Sequence, residues 1–109
     1  MRLSADIWVA AYLQRLRLSD IPAFVVARGD ATAGAVLIKQ STLDGRATCF
    51  QRTFDLMTGE RRWMELAAGD EGEVDATIAA QRRSDPDLWV IEVEDRAGRH
   101  LLDEPGLSE

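Results

Sequence analysis

The sequence predicts an α+β domain with an N-terminal helix, a four-stranded antiparallel meander, a second helix and a C-terminal strand or hairpin. Three observations carry the prediction. Between Pro22 and Leu66 the turn signals Gly29-Asp30, Asp44-Gly45 and Thr58-Gly59 cut a mostly apolar stretch into four pieces of strand length. Ahead of that stretch, Leu3 to Leu18 is apolar over most of a helical circumference. Behind it, Gly69-Asp70 opens a segment whose acids lead and whose bases trail, as a helix dipole favours.

Composition bounds the classes available. The chain has 109 residues, 46% of them hydrophobic and 29% charged, which suffices for one core that buries about two-thirds of the unfolded surface. Residues 1–104 are expected to form a single α+β domain, with 105–109 as a frayed tail. A lone cysteine, Cys49, excludes an internal disulfide and any C-x-x-C site. No signal-peptide core or membrane span stands out, so the expected location is cytoplasmic. Charge is uneven. Residues 1–62 carry nine Lys or Arg against six Asp or Glu, whereas residues 63–109 carry four against thirteen. Complementary halves of this kind usually meet in surface ion pairs, and a net charge of −6 argues against general nucleic-acid binding.

Each element has its own justification. The first helix has Ser4 or Asp6 available as a cap, and Ile21-Pro22 ends it, because the residue before proline is pushed out of the helical region. Only Asp6, Ala10, Gln14 and Arg17 form its polar wedge, so two sides need cover: one from the sheet, the other from the second helix or another subunit. Ala23–Arg28 and Ala33–Gln40 are short continuous apolar runs, as in strands covered on both faces. Between them, Gly29 and Gly34 stand in a bare G-x-x-x-x-G, which reads as a turn because no Lys-Ser/Thr follows. Arg46–Asp55 alternates so that Phe50 and Phe54 share a face with Arg52. Arg61–Ala67 forms the fourth strand. Asp70 and Glu73 make a capping-box pattern for the second helix, whose thin apolar stripe of Val74, Ile78 and alanines suits a surface position. Asp85-Pro86-Asp87 stops it, Leu88–Asp95 returns as a strand, and His100–Asp103 is expected as a short edge strand.

The chemistry-bearing residues form weak constellations. Trp8 and Tyr12, one helical turn apart, read first as core and second as a partner-binding surface. Arg52, placed on an apolar face, needs a carboxylate or a sheet edge. With Arg61 and Arg62 beside Trp63 it is the candidate anion-binding set, with Asp30 or Asp55 to orient the arginines. Glu92 and Glu94 share one strand face and are the candidate divalent-metal pair, with Asp95 or His100 as further donors; a solvated strand face is the simpler reading. Cys49 and His100, each the only one of its type, are candidates for a thiol and base that nothing in the spacing brings together. No cofactor motif is present.

The opening RLSADIWVAAYLQRL, the middle GDATAGAVLIK and FDLMTGERRWM, and the close DPDLWVIEVEDRAGRHLL resemble a family of short proteobacterial proteins known only as a domain of unknown function. The resemblance runs from Arg2 to about Leu102. It implies a small stand-alone cytoplasmic protein and supplies no activity or site residues. The residues themselves favour a non-enzymatic interaction module that binds itself or another protein, through the first helix or an exposed strand edge. The alternative is a small-ligand protein or minor enzyme for an anion or divalent metal, with neither nucleic acid nor membrane as partner.

Overall fold

A computed structural model describes residues 3–54 and 57–107. Asp55, the side chain of Phe54, and Ser108-Glu109 lie outside the described residues. The elements follow in the order α1 (Ala5–Leu18), β1 (Ala23–Ala27), β2 (Val36–Ser41), β3 (Arg46–Phe54), β4 (Arg61–Asp70), α2 (Glu71–Ser84) and β5 (Trp89–Glu94). They build one mixed sheet of strand order β1-β5-β2-β3-β4.

That order corrects the expected meander. Only β2, β3 and β4 run as consecutive antiparallel neighbours. β5 inserts between β1 and β2, parallel to β2 and antiparallel to β1. The physical reason lies in residues 28–35, which do not make a tight hairpin but lace onto the start of β5. Asp30 N–H donates to the Asp87 carbonyl at 2.9 Å and Trp89 N–H donates to the Ala35 carbonyl at 2.8 Å. The Trp89 indole N–H donates to the Asp30 carbonyl, also at 2.8 Å. Gly29 and Gly34 are required by this contact. A Cβ on Gly29 would overlap the Asp87 carbonyl oxygen and come within 2.6 Å of Trp89 Cδ1, and one on Gly34 would lie 2.5 Å from that same oxygen. The G-x-x-x-x-G therefore serves close backbone approach.

Burial follows from this topology. β2 is buried along its whole length and β5 nearly so, as their continuous apolar runs require. β1 carries the same kind of run but sits at the edge, with Phe24, Val25 and Val26 exposed. A continuous run there marks exposure, and the expected two-sided cover is absent.

Helices cover opposite faces. Beneath α1, the buried Trp8, Tyr12 and Leu16 pack with Ile38, Trp89 and Ile91. Beneath α2, Val74 and Ile78 pack with Leu37, Ala47, Cys49 and Val90. The second cover of α1 is thus the C-terminal segment, with Leu102 and Leu107 buried in the same cluster. The Tyr12 hydroxyl donates to the His100 carbonyl at 2.8 Å, the Trp63 indole N–H to the Leu107 carbonyl at 2.9 Å, and Arg15 pairs with Glu104 at 2.7 Å. Residues 100–103 accordingly contain no strand, where an edge strand was expected, and Leu107 is buried.

The helix ends differ from one another. Ser4 makes no side-chain cap for α1; the first amides of Ala5 and Asp6 donate instead to the Thr32 and Ala31 carbonyls at 3.1 and 2.9 Å. Its C-terminus closes as a Schellman motif: Asp20 takes φ +58°, and Asp20 and Ile21 N–H donate to the Arg17 and Leu16 carbonyls. In α2, Asp70 caps as its sequence implies, its carboxylate accepting from Glu73 N–H at 3.2 Å.

Candidate functional site

The antiparallel pairing of β3 with β4 sets Arg52 opposite Trp63 and Phe54 opposite Arg61. Arg52 and Arg61 are therefore diagonal neighbours on the α1 side of the sheet, about 7–8 Å apart at their origins. The Arg52 guanidinium lies over two indoles, 5.2 Å from the Trp8 ring centre and 5.4 Å from that of Trp63. A cation on this apolar face is thereby met by aromatic quadrupoles. The Trp8 ring also stacks on Tyr12 at 4.9 Å, and its buried indole N–H has no hydrogen-bond partner among the described residues. Beside Arg52 an open depression of about 210 Å³ is lined by Arg52, Thr53, Arg61, Val36 and the 33–35 segment. Arg62, the third of the predicted anion set, pairs with Thr53 and alternation turns it to the other face. Asp30 does not orient these arginines: its carboxylate accepts from the Thr32 and Ala33 amides.

Across the sheet, the site that sequence reading missed is Lys39. Its side chain is 7% exposed, and its ammonium lies 2.9 Å from Glu71, 2.8 Å from Asp75 and 3.3 Å from Glu92. Burial alone would lower its pKa, but hydrogen bonds to Asp75 and Glu71 and the charges of Glu92 and Asp75 outweigh it and raise the value. The signal was present as a single lysine in an apolar strand, facing an acidic first helical turn. Glu92 is thus an ion-pair partner of Lys39, and Glu94 lies one step along the same strand face. Asp95, offered as a further metal donor, is held by Arg99, with Oδ1 and the guanidinium 3.0 Å apart; the hydrogen bond from Arg99 lowers its pKa. Among the described residues no three His, Cys, Asp or Glu side chains gather as a metal site.

The sheet separates the thiol from the imidazole. Cys49 lies in the α2-side cluster, where burial pushes its pKa up to about 11 against the opposing charge of Lys39. His100 packs on Phe50 with ring centres 4.7 Å apart, and Phe50 belongs to the α1-side cluster. Trp8 and Tyr12 are 3% and 0% exposed, so they form core and are not a surface that a partner could touch. Burial raises the Tyr12 pKa, which keeps the hydroxyl a donor. The exposed large apolar residues among those described are Leu3, Ile7 and Leu18 in the α1 segment, Phe24, Val25 and Val26 on β1, and Leu43, Met57 and Met64 further along the chain. No helix among the described residues is long and apolar enough to cross a membrane.

Comparison with known proteins finds no match among curated sequences. A crystal structure of a DUF1491 family protein from Caulobacter crescentus CB15 is 45% identical, with a TM-score of 0.84 over 96% of this chain and 97% of that one. An NMR structure of a DUF1491 family protein from the same organism is 46% identical, with a TM-score of 0.83 and 96% of each chain covered. A solution structure of an A. tumefaciens protein is 30% identical, with a TM-score of 0.74 and 86% of each chain covered. The model of the family described as a protein of unknown function, DUF1491, matches residues 3–103, and the chain belongs to that family.

Proposed function

We propose that the protein is a non-enzymatic interaction module that pairs with a second copy of itself along β1. The observation that carries this reading is the edge position of a strand whose three consecutive large apolar residues, Phe24, Val25 and Val26, are 47, 39 and 50% exposed. An edge strand presents backbone donors and acceptors to any extended chain, and an apolar edge adds the driving force. Charge favours a second copy. Arg28 follows the strand, while Asp20 precedes it and Glu94 N–H bonds the Pro22 carbonyl at that end. A two-fold antiparallel pair centred on Val25 sets the basic end of one strand against the acidic end of the other.

The pairing is weak by this argument. The bulge between Val25 and Ala27 shortens the regular edge, and an apolar patch on the order of a few hundred Å² is below the roughly 800 Å² that each partner buries in a standard interface. Light scattering over a dilution series tests it, with folding checked by circular dichroism. A concentration-dependent dimer that Phe24→Lys and Val26→Lys abolish and Ile7→Lys preserves is the expected result. A wild type monomeric into the millimolar range overturns self-association, and a dimer lost only in Ile7→Lys moves the interface to α1 and overturns the β1 reading.

A further inference from the structure

We infer that the depression beside Arg52 is a binding site for a small oxyanionic ligand, a carboxylate or phosphate group on a metabolite-sized molecule. Among the described residues both charged side chains that line it, Arg52 and Arg61, are arginines, and their diagonal spacing suits two guanidiniums bracketing one oxyanion. Each guanidinium offers five N–H donors, so contacts to the protein and to a ligand are compatible.

Preorganisation distinguishes Arg52 from a surface arginine. The Arg52 guanidinium is flanked by Trp8 and Trp63, both within 5.4 Å, and Trp8 is itself 3% exposed and stacked on Tyr12. Its side-chain entropy is largely lost on folding, so little more is lost on binding. The open depression of about 210 Å³ has room for the oxyanion together with a short organic body. The site is independent of the β1 reading, since β3 and β4 lie at the opposite side of the sheet from β1.

The test is an amide chemical-shift titration of the intact protein with succinate, with phenyl phosphate and, at matched ionic strength, with sodium chloride. The expected result is saturable shifts at Ala33–Val36 and Thr53 with at least one of the two organic anions. Which anion binds distinguishes carboxylate from phosphate chemistry. Arg61→Gln is expected to weaken binding at least tenfold, and Arg52→Lys to weaken it by keeping the charge and losing the fork; Arg82→Gln, on α2, leaves it unchanged. No saturable shift up to tens of millimolar, shifts that chloride reproduces, or affinity that survives Arg61→Gln would each overturn the inference.

Discussion

Along β2, neighbouring residues enter two different interiors: Ile38 joins Leu16, Trp89 and Ile91 beneath α1, while Lys39 meets Glu71 and Asp75 beneath α2. The α1 side holds three tryptophans and a tyrosine, with hydrogen bonds from Tyr12, Trp63 and Trp89 each ending on a backbone carbonyl. Contacts on the α2 side are smaller, mainly Val, Ala, Ile and Leu around Cys49, and charge borders them. The difference assigns separate tasks to the two faces. Apolar burial under α1 supplies most of the stabilisation, because burial energy scales with area. The α2 face relies on a centred cation to hold a helix that buries only Val74 and Ile78.

The largest effect expected from this contrast comes from Trp89→Ala. Trp89 is among the largest fully buried side chains, and its indole N–H fixes the 28–35 segment through Asp30. Its loss should cost about 3–5 kcal/mol. Val74→Ala, equally buried beneath α2 at 1% exposure, should cost only about 1–3 kcal/mol. Urea unfolding of both variants makes the comparison; equal losses would remove the distinction between the faces.

A second, smaller effect separates charge from packing. Lys39→Met keeps the aliphatic stem but strands Glu92, whose side chain is 17% exposed, while Glu71 and Asp75, at 38 and 53%, can turn to water. The expected loss is about 1–3 kcal/mol, in the range of hydrogen bonds to charged groups. Added salt should shrink the gap between Lys39→Met and wild type and leave the Trp89→Ala gap nearly unchanged. A Lys39→Met protein as stable as wild type at low salt would mean that the three carboxylates gain nothing from the cation.

These two faces also show how far the sequence could be read. The helices, the five strands and the Asp70 cap were legible because periodicity and turn chemistry are local. Strand order was not. The runs Phe24-Val25-Val26 and Val36-Leu37-Ile38 look alike, yet one is an edge and the other the sheet centre, and what separates them is the docking of residues 28–35 on Asp87 and Trp89, some sixty residues away in sequence. The candidate site was legible in part. Alternation placed Arg52 on the aromatic face, but the cover it found was Trp8 from α1, a tertiary contact that no spacing encodes. Lys39 was missed because a lysine between Ile38 and Gln40 reads as a snorkelling strand residue until Glu71, Asp75 and Glu92 are seen to converge on it.

The smallest expected effect belongs to the α1 side and titrates. His100 is half-buried, and burial lowers its pKa, opposed by the charge of Asp103. Its Nδ1 accepts the Leu102 N–H at 3.0 Å, which requires that nitrogen to be unprotonated. The unfolded chain takes up the proton near pH 6.5 and the folded chain only at lower pH, so the unfolded state binds more protons in between. The contribution of His100 is therefore fully present above about pH 6.5 and is lost as pH falls through the folded value. His100→Asn keeps an acceptor for Leu102 and removes the titration. Melting temperatures measured from pH 7.5 to 5 should fall less steeply for this variant than for wild type, while the carboxylates common to both contribute equally. Parallel slopes would show that protonating His100 leaves the C-terminal cover of α1 undisturbed, and that the Tyr12, Trp63 and Arg15 contacts hold it without the imidazole.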